Sequence, residues 1–170
     1  GMDLGLQIFA EAYQQDPEVR LTVIGDGVDR VRWMQKAARL GVAHAIEWKG
    51  WLPKQEVLRH YAEFDLLFYP SLRDSGGFVV LEALQCGLPV VCFRLGGPGV
   101  VVDEQCGQAI SAEGSCDEAC HAFASAVLNL LARVAQEPEL GLRCRARAQA
   151  FSWQPLQARI VDNNVREMLS

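Results

Sequence analysis

The sequence predicts a doubly wound α/β domain, a parallel sheet covered by helices on both faces. Short apolar and β-branched runs alternate along the chain with segments whose apolar residues recur at helical spacing, the pattern of buried parallel strands separated by helices. Two strand-like runs also pass through glycine turns straight into helical patterns, at Gly25-Asp26-Gly27 and at Gly76-Gly77. In such sheets the ligand lies at the carboxyl ends of the strands. With 170 residues, 50% of them hydrophobic and 22% charged, the chain has material for one core and no second complete domain.

Taken in order, Leu4, Ile8, Phe9 and Ala12 fall on a helical stripe that Asp16-Pro17 ends. A strand over residues 19–24 runs into the Gly25-Asp26-Gly27 turn, and Val31, Met34 and Ala38 mark the next helix. A strand at 45–49, a helix at 54–63 and a strand at 66–69 follow, the last stopped by Pro70. After Gly87 come a strand at 89–93, a loop at Gly96-Gly97-Pro98-Gly99 and a strand at 108–111. From about Asp117 the chain reads as helical, with Pro138 dividing two segments, and Ser152 caps a last helix running through Met168. Gly1 ahead of Met2 reads as the remnant of a protease site, so the predicted domain spans residues 2–170.

Several functions are disfavoured. A net charge of -5 with scattered Lys and Arg provides no basic face for a phosphate backbone, so no nucleic-acid partner is expected. No apolar run reaches the roughly 20 residues of a membrane span and no signal pattern opens the chain, which predicts a cytoplasmic protein. The six cysteines include no Cys-x-x-Cys and read as free thiols. Cys116, Cys120 and His121 share a helical face, but three ligands without a fourth make a weak zinc signal, so no metal and no cofactor are called for.

The chemistry concentrates in PSLRDSGGFVVLEALQCG, from Pro70 to Gly87, read as a strand end, a glycine loop and a helix starting near Phe78. Gly76 and Gly77 let the backbone approach a ligand, and the helix start behind them offers free N–H groups to an anion such as a diphosphate. Glu82 is the lone charge on a helix apolar nearly all round, a kind usually packed on both sides. A buried carboxylate needs an answer, either an Arg or Lys or ligand hydroxyls, unless Glu82 simply faces solvent or meets Arg94 or Arg73 as an ion pair. Asp74, eight residues earlier, stands in the loop, either facing the same cleft or capping the helix.

Asp74-x7-Glu82 resembles the Glu-x7-Glu motif of the family-four (group 1) retaining glycosyltransferases, whose GT-B fold pairs two Rossmann-like domains. The likeness extends along most of the chain. GMDLGLQIFAEA resembles that family's helix after its Lys-Gly, LTVIGDG its strand and glycine turn with Gly25 and Gly27, IEWKGWLP its base-pocket segment, and FSWQPLQARI its terminal helix. The resemblance implies the C-terminal, donor-binding half of such an enzyme. Glu82 then holds the ribose hydroxyls, and Gly50, Trp51 and Leu52 face the base. Asp74, as the catalytic-site carboxylate, holds the transferred sugar and diphosphate together with the N–H groups of Gly76, Gly77, Phe78 and Val79.

The departures from that pattern are specific. Asp74 is shorter than the family's first Glu by one methylene, about 1.5 Å, Gly76 stands where the family often has Phe, and Val100 falls where a further glutamate is usual. The opening strand, the Arg and Lys that grip the diphosphate and the acceptor-binding domain precede the position of Met2.

The leading expectation is therefore a donor domain that binds a nucleotide-diphosphate sugar for retaining hexosyl transfer to a glycan or lipid-linked acceptor, in polysaccharide or cell-envelope assembly. The full-length enzyme is expected to be cytoplasmic or membrane-peripheral, and this chain alone to be inactive. With the first strand absent, strands 19–24 and 66–69 are expected either to close together or to pair with another copy, and self-association is favoured. The alternatives are a non-catalytic nucleotide-sugar-binding module and a dinucleotide-dependent oxidoreductase. Against the latter, Gly25-Asp26-Gly27 lacks the third glycine of G-x-G-x-x-G.

Overall fold

The computed structural model describes residues 1–152, so the expected terminal helix beyond Ser152 lies outside the described residues. Seven α-helices and five strands alternate within them: α1 (Met2–Gln15), β1 (Leu21–Ile24), α2 (Arg30–Arg39), β2 (Ile46–Gly50), α3 (Lys54–Tyr61), β3 (Leu67–Tyr69), α4 (Phe78–Gln85), β4 (Val90–Phe93), α5 (Gly96–Val101), β5 (Gly107–Ile110), α6 (Cys116–Gln136) and α7 (Leu140–Ala150). All strand pairings are parallel, as the short apolar runs between helices require.

The sheet is in two pieces. β1 pairs with β2, Leu21 opposite Ile46, while β3, β4 and β5 form a second piece with Leu67 opposite Val90 and Val90 opposite Gly107. Among the described residues, strands β1 and β3 do not pair with each other, which removes one of the two outcomes expected for them from the sequence.

Each piece has its own hydrophobic cluster, and α1 serves both. Ile8 and Ala12 join the cluster of β4, α4 and α6, whereas Leu6, Phe9 and Ala10 join Val23, Ala37, Val42 and Ile46 beside β1 and β2. Phe9 therefore leaves the stripe assigned to it from its spacing, because α1 is buried on two faces rather than one. In the larger cluster the Phe123 ring of α6 stands edge-on to Phe68 and Phe93, with centroids 5.3 Å and 4.9 Å away. The start of α6 is fixed by a capping box. Ser115 Oγ accepts the Glu118 N–H while Glu118 accepts the Ser115 N–H, a motif that stabilises a helix by about 1 kcal/mol.

Two local expectations change. Gly96-Gly97-Pro98-Gly99 is the first part of helix α5, not a loop. Pro98 is tolerated there because an N–H in the first turn has no intrahelical partner to lose, and burial of Pro98 and Val101 holds the turn in place. Helix α4 is not packed on both sides, since it buries Val80, Ala83 and Leu84 but leaves Phe78 and Val79 exposed. All six cysteines are free. Burial pushes the Cys92 and Cys144 thiols up to about 12 and that of Cys106 up to about 11, so these three behave as small core residues.

Candidate active site

Strand β3 ends at Tyr69 and delivers the chain into the loop ahead of α4. Asp74 organises that loop. Its Oδ1 accepts the N–H groups of Gly76 and Gly77, both at 2.9 Å, and its Oδ2 accepts the Tyr69 hydroxyl at 2.8 Å. The Gly77 N–H, then Tyr69, hold the Asp74 carboxyl below the usual carboxylate range. Burial, reinforced by the Asp74 carboxylate, raises the Tyr69 hydroxyl, which keeps its proton to donate.

Gly77 ends the loop with φ 64, a left-handed conformation that suits glycine, and its carbonyl receives the Leu81 N–H. No side chain caps α4. The N–H groups of Phe78, Val79 and Val80 therefore have no intrahelical acceptor and carry the positive end of the helix dipole. Those of Gly76 and Gly77, expected to face a diphosphate, are directed at Asp74 in this structure.

The α4 loop is braced from behind by the start of α5. The Gly97 N–H donates to the Asp74 carbonyl at 3.0 Å, and a Cβ on Gly97 would stand 2.6 Å from the Gly76 carbonyl carbon. Two glycine segments, far apart in sequence, thus interleave by backbone contact.

Glu82 lies in the second turn of α4, with its side chain 31% exposed and Oε1 2.5 Å from Lys54 Nζ. The cation that answers it is neither Arg94 nor Arg73 but the first residue of α3, directly after Gly50, Trp51, Leu52 and Pro53. The pair brings Glu82 beside the segment expected to face a base, where Trp51 is 73% exposed. Gly50 in turn is tied to the first glycine turn, its carbonyl accepting the Gly25 N–H at 2.7 Å, while the Gly27 N–H turns back to Asp26.

Three clusters thus follow the carboxyl ends of strands: Gly25 and Gly27 after β1, Gly50 to Pro53 after β2, and Asp74 to Glu82 after β3. The resulting surface is open. Cavities of about 400 Å³ between α1 and α6 and about 530 Å³ beside β5 lie elsewhere and are not lined by Asp74 or Glu82. Among the described residues no cluster of three His, Cys, Asp or Glu is placed to hold a metal ion. His121 Nδ1 is bonded to Glu11. No helix of the described residues is long and apolar enough to cross a membrane.

Tyr69, Lys54 and Gly97 were not singled out from the sequence. Each is recognised only by a partner that the fold brings to it, although Tyr69, a polar-tipped aromatic at a strand end ahead of a glycine loop, carried a weak signal.

The fold is that of one α/β half of a GT-B protein. The profile of the family described as "Glycosyl transferases group 1" matches residues 1–133, and the chain belongs to that family. Among curated relatives, a D-inositol 3-phosphate glycosyltransferase of Segniliparus rotundus is 32% identical over 159 residues, covering 91% of this chain and 34% of that protein. A GDP-mannose-dependent alpha-(1-6)-phosphatidylinositol monomannoside mannosyltransferase of Mycolicibacterium smegmatis is 29% identical, over 95% of this chain and 44% of that protein. The chain therefore spans well under half the length of these relatives. Among solved structures, Staphylococcus aureus TarM superposes with a TM-score of 0.79 at 18% identity, over 94% of this chain and 32% of that one. Anabaena HepE in complex with UDP gives 0.69 at 22%, over 95% and 44%. At these identities the structures establish the shared fold.

Proposed function

We propose that this chain is the donor domain of a retaining glycosyltransferase, binding a nucleotide-diphosphate sugar for hexosyl transfer to a glycan or lipid-linked acceptor. The observation that carries the reading is the placement of Asp74 and Glu82 on either side of the uncapped start of α4, with Glu82 drawn to the Gly50–Pro53 segment by Lys54. The diphosphate accepts hydrogen bonds from the N–H groups of Phe78 and Val79, Glu82 takes the ribose hydroxyls from Lys54, and Gly50, Trp51 and Leu52 receive the base. Gly25 and Gly27 leave room at the neighbouring strand end. The Gly76–Gly77 loop and Asp74 meet the sugar.

The start of α4 stabilises negative charge on the departing diphosphate through fixed dipoles, which need no reorganisation during transfer. The isolated chain binds donor without turning it over, because acceptor and donor must be held together for transfer. A relative that acts on a phosphatidylinositol mannoside and is GDP-mannose-dependent, and a structural neighbour crystallised with UDP-glucose, support this class of donor and acceptor. A lipid-linked acceptor would bring the whole enzyme to a membrane surface from the cytoplasm.

The test is a thermal-shift and calorimetric panel of UDP, GDP, UDP-glucose, GDP-mannose and NAD. A ligand at 100 times its dissociation constant raises stability by about 2.7 kcal/mol. Stabilisation by a nucleoside diphosphate and its sugar is expected. Stabilisation by NAD alone, or by none of the panel, would overturn the reading.

A further inference from the structure

Phe78 is the first residue of α4 and one of the most exposed large apolar residues, at 73%. Single exposed aromatics are common on protein surfaces, but this ring is held in a particular place. A Cβ built on Gly76 would lie 2.7 Å from Cε2 and 2.8 Å from Cδ2 of Phe78, so the ring occupies the space in which a side chain at position 76 would stand. One side of the phenyl group thus lies beside Gly76 and much of the rest is open.

The surroundings of the ring decide what that open surface can meet. Gly76, beside which the ring lies, donates its N–H to Asp74 Oδ1, and Phe78 itself opens the uncapped start of α4. A nucleotide sugar changes from anionic diphosphate to hydroxyl-bearing pyranose between two such features. One face of a pyranose is lined by C–H groups of partial positive charge, which suit the negative face of an aromatic ring.

We propose that the Phe78 ring is the apolar wall of the transferred-sugar subsite, contacting the C–H face of the pyranose while Asp74 takes its hydroxyls. This rests on the donor-binding reading above. It makes Phe78 a residue that distinguishes nucleotide sugar from bare nucleotide, and it gives Gly76 the task of leaving room for the ring.

The experiment is calorimetric titration of the 170-residue chain and three variants, Phe78→Ala, Phe78→Tyr and Gly76→Ala, with UDP and UDP-glucose and with GDP and GDP-mannose. Gly76 does not have a positive φ and the obstructing atoms are the far end of a side chain, so alanine there moves the ring without straining the backbone. Phe78→Ala and Gly76→Ala are expected to weaken nucleotide-sugar binding by about three- to tenfold relative to the bare nucleotide. Phe78→Tyr should keep the unaltered ratio. Thermal melts of each variant verify that it is folded, with Phe78→Leu as a second truncation if alanine is not. An unchanged ratio in folded variants overturns the inference but leaves the donor-binding reading intact. Failure of the unaltered chain to bind any of the four ligands removes both.

Discussion

Replacing Asp74 by alanine should loosen the site before it affects any ligand. The carboxylate accepts three hydrogen bonds, from Gly76, Gly77 and Tyr69. A hydrogen bond to a charged group contributes about 1.5–3 kcal/mol when water cannot replace it. Asp74 is half-buried, so water recovers part of each bond and a total loss of about 2 kcal/mol is expected. For a domain of this size that lowers the melting temperature by about 4–8 °C. Asp74→Asn keeps an oxygen for the two glycine N–H groups and an amide that can donate to the Tyr69 hydroxyl, so it should lose about half as much.

The pH dependence fixes the sign independently. A carboxyl held below its unfolded value of about 3.9 stabilises the fold fully above that value, and the stabilisation is lost as pH falls through the folded value. The unaltered chain should therefore lose more stability than Asp74→Asn when acidified below about pH 4. Differential scanning calorimetry from pH 7 downward reads both effects. A melting temperature for Asp74→Ala within about 1 °C of the unaltered chain at pH 7, or parallel acid profiles for the chain and Asp74→Asn, would refute the assignment of Asp74 as organiser of the loop.

Glu82→Gln should weaken nucleoside diphosphate binding by about ten- to a hundredfold with little change in melting temperature; equal affinity by calorimetry would count against Glu82 as the ribose contact. Gly97→Ala places a methyl group 2.6 Å from the Gly76 backbone and 2.7 Å from the Gly77 nitrogen, and should lower stability in urea by about 1–3 kcal/mol. An unchanged midpoint would mean that the two glycine segments are not tightly interleaved. The chain should also self-associate with rising concentration in light scattering, because β1 and β3 each have an edge unpaired among the described residues, and a monomer throughout would contradict this. The isolated chain should show no steady glycosyl transfer, and measurable turnover would sink that expectation.

Much of the fold was legible because local and tertiary preferences agree. The strand at 66–69 needed only its apolar run and Pro70, and the start of α4 was marked by Gly77 and the apolar run from Phe78. Where they disagree, spacing misleads. Gly96-Gly97-Pro98-Gly99 is a turn by composition, yet it becomes helical because Pro98 and Val101 pack inward and the Val102 N–H reaches the Pro98 carbonyl. The Asp74 and Glu82 pair was visible as a spacing, but the residues that hold it were not. Lys54 meets Glu82 across 28 positions of sequence, and Tyr69 meets Asp74 only because the loop between them doubles back. No periodicity encodes either meeting.

The divided sheet gives α1 an unusual place in the cooperativity of the molecule. With Leu6, Phe9 and Ala10 in one cluster and Ile8 and Ala12 in the other, truncating adjacent positions of a single helix should loosen different halves of the protein. Native-state hydrogen exchange would register this as two protection patterns that separate after Phe9→Ala and after Ile8→Ala. α1 is thus the shared member of two hydrophobic clusters, and the face of that helix that loses its packing sets which of them opens first.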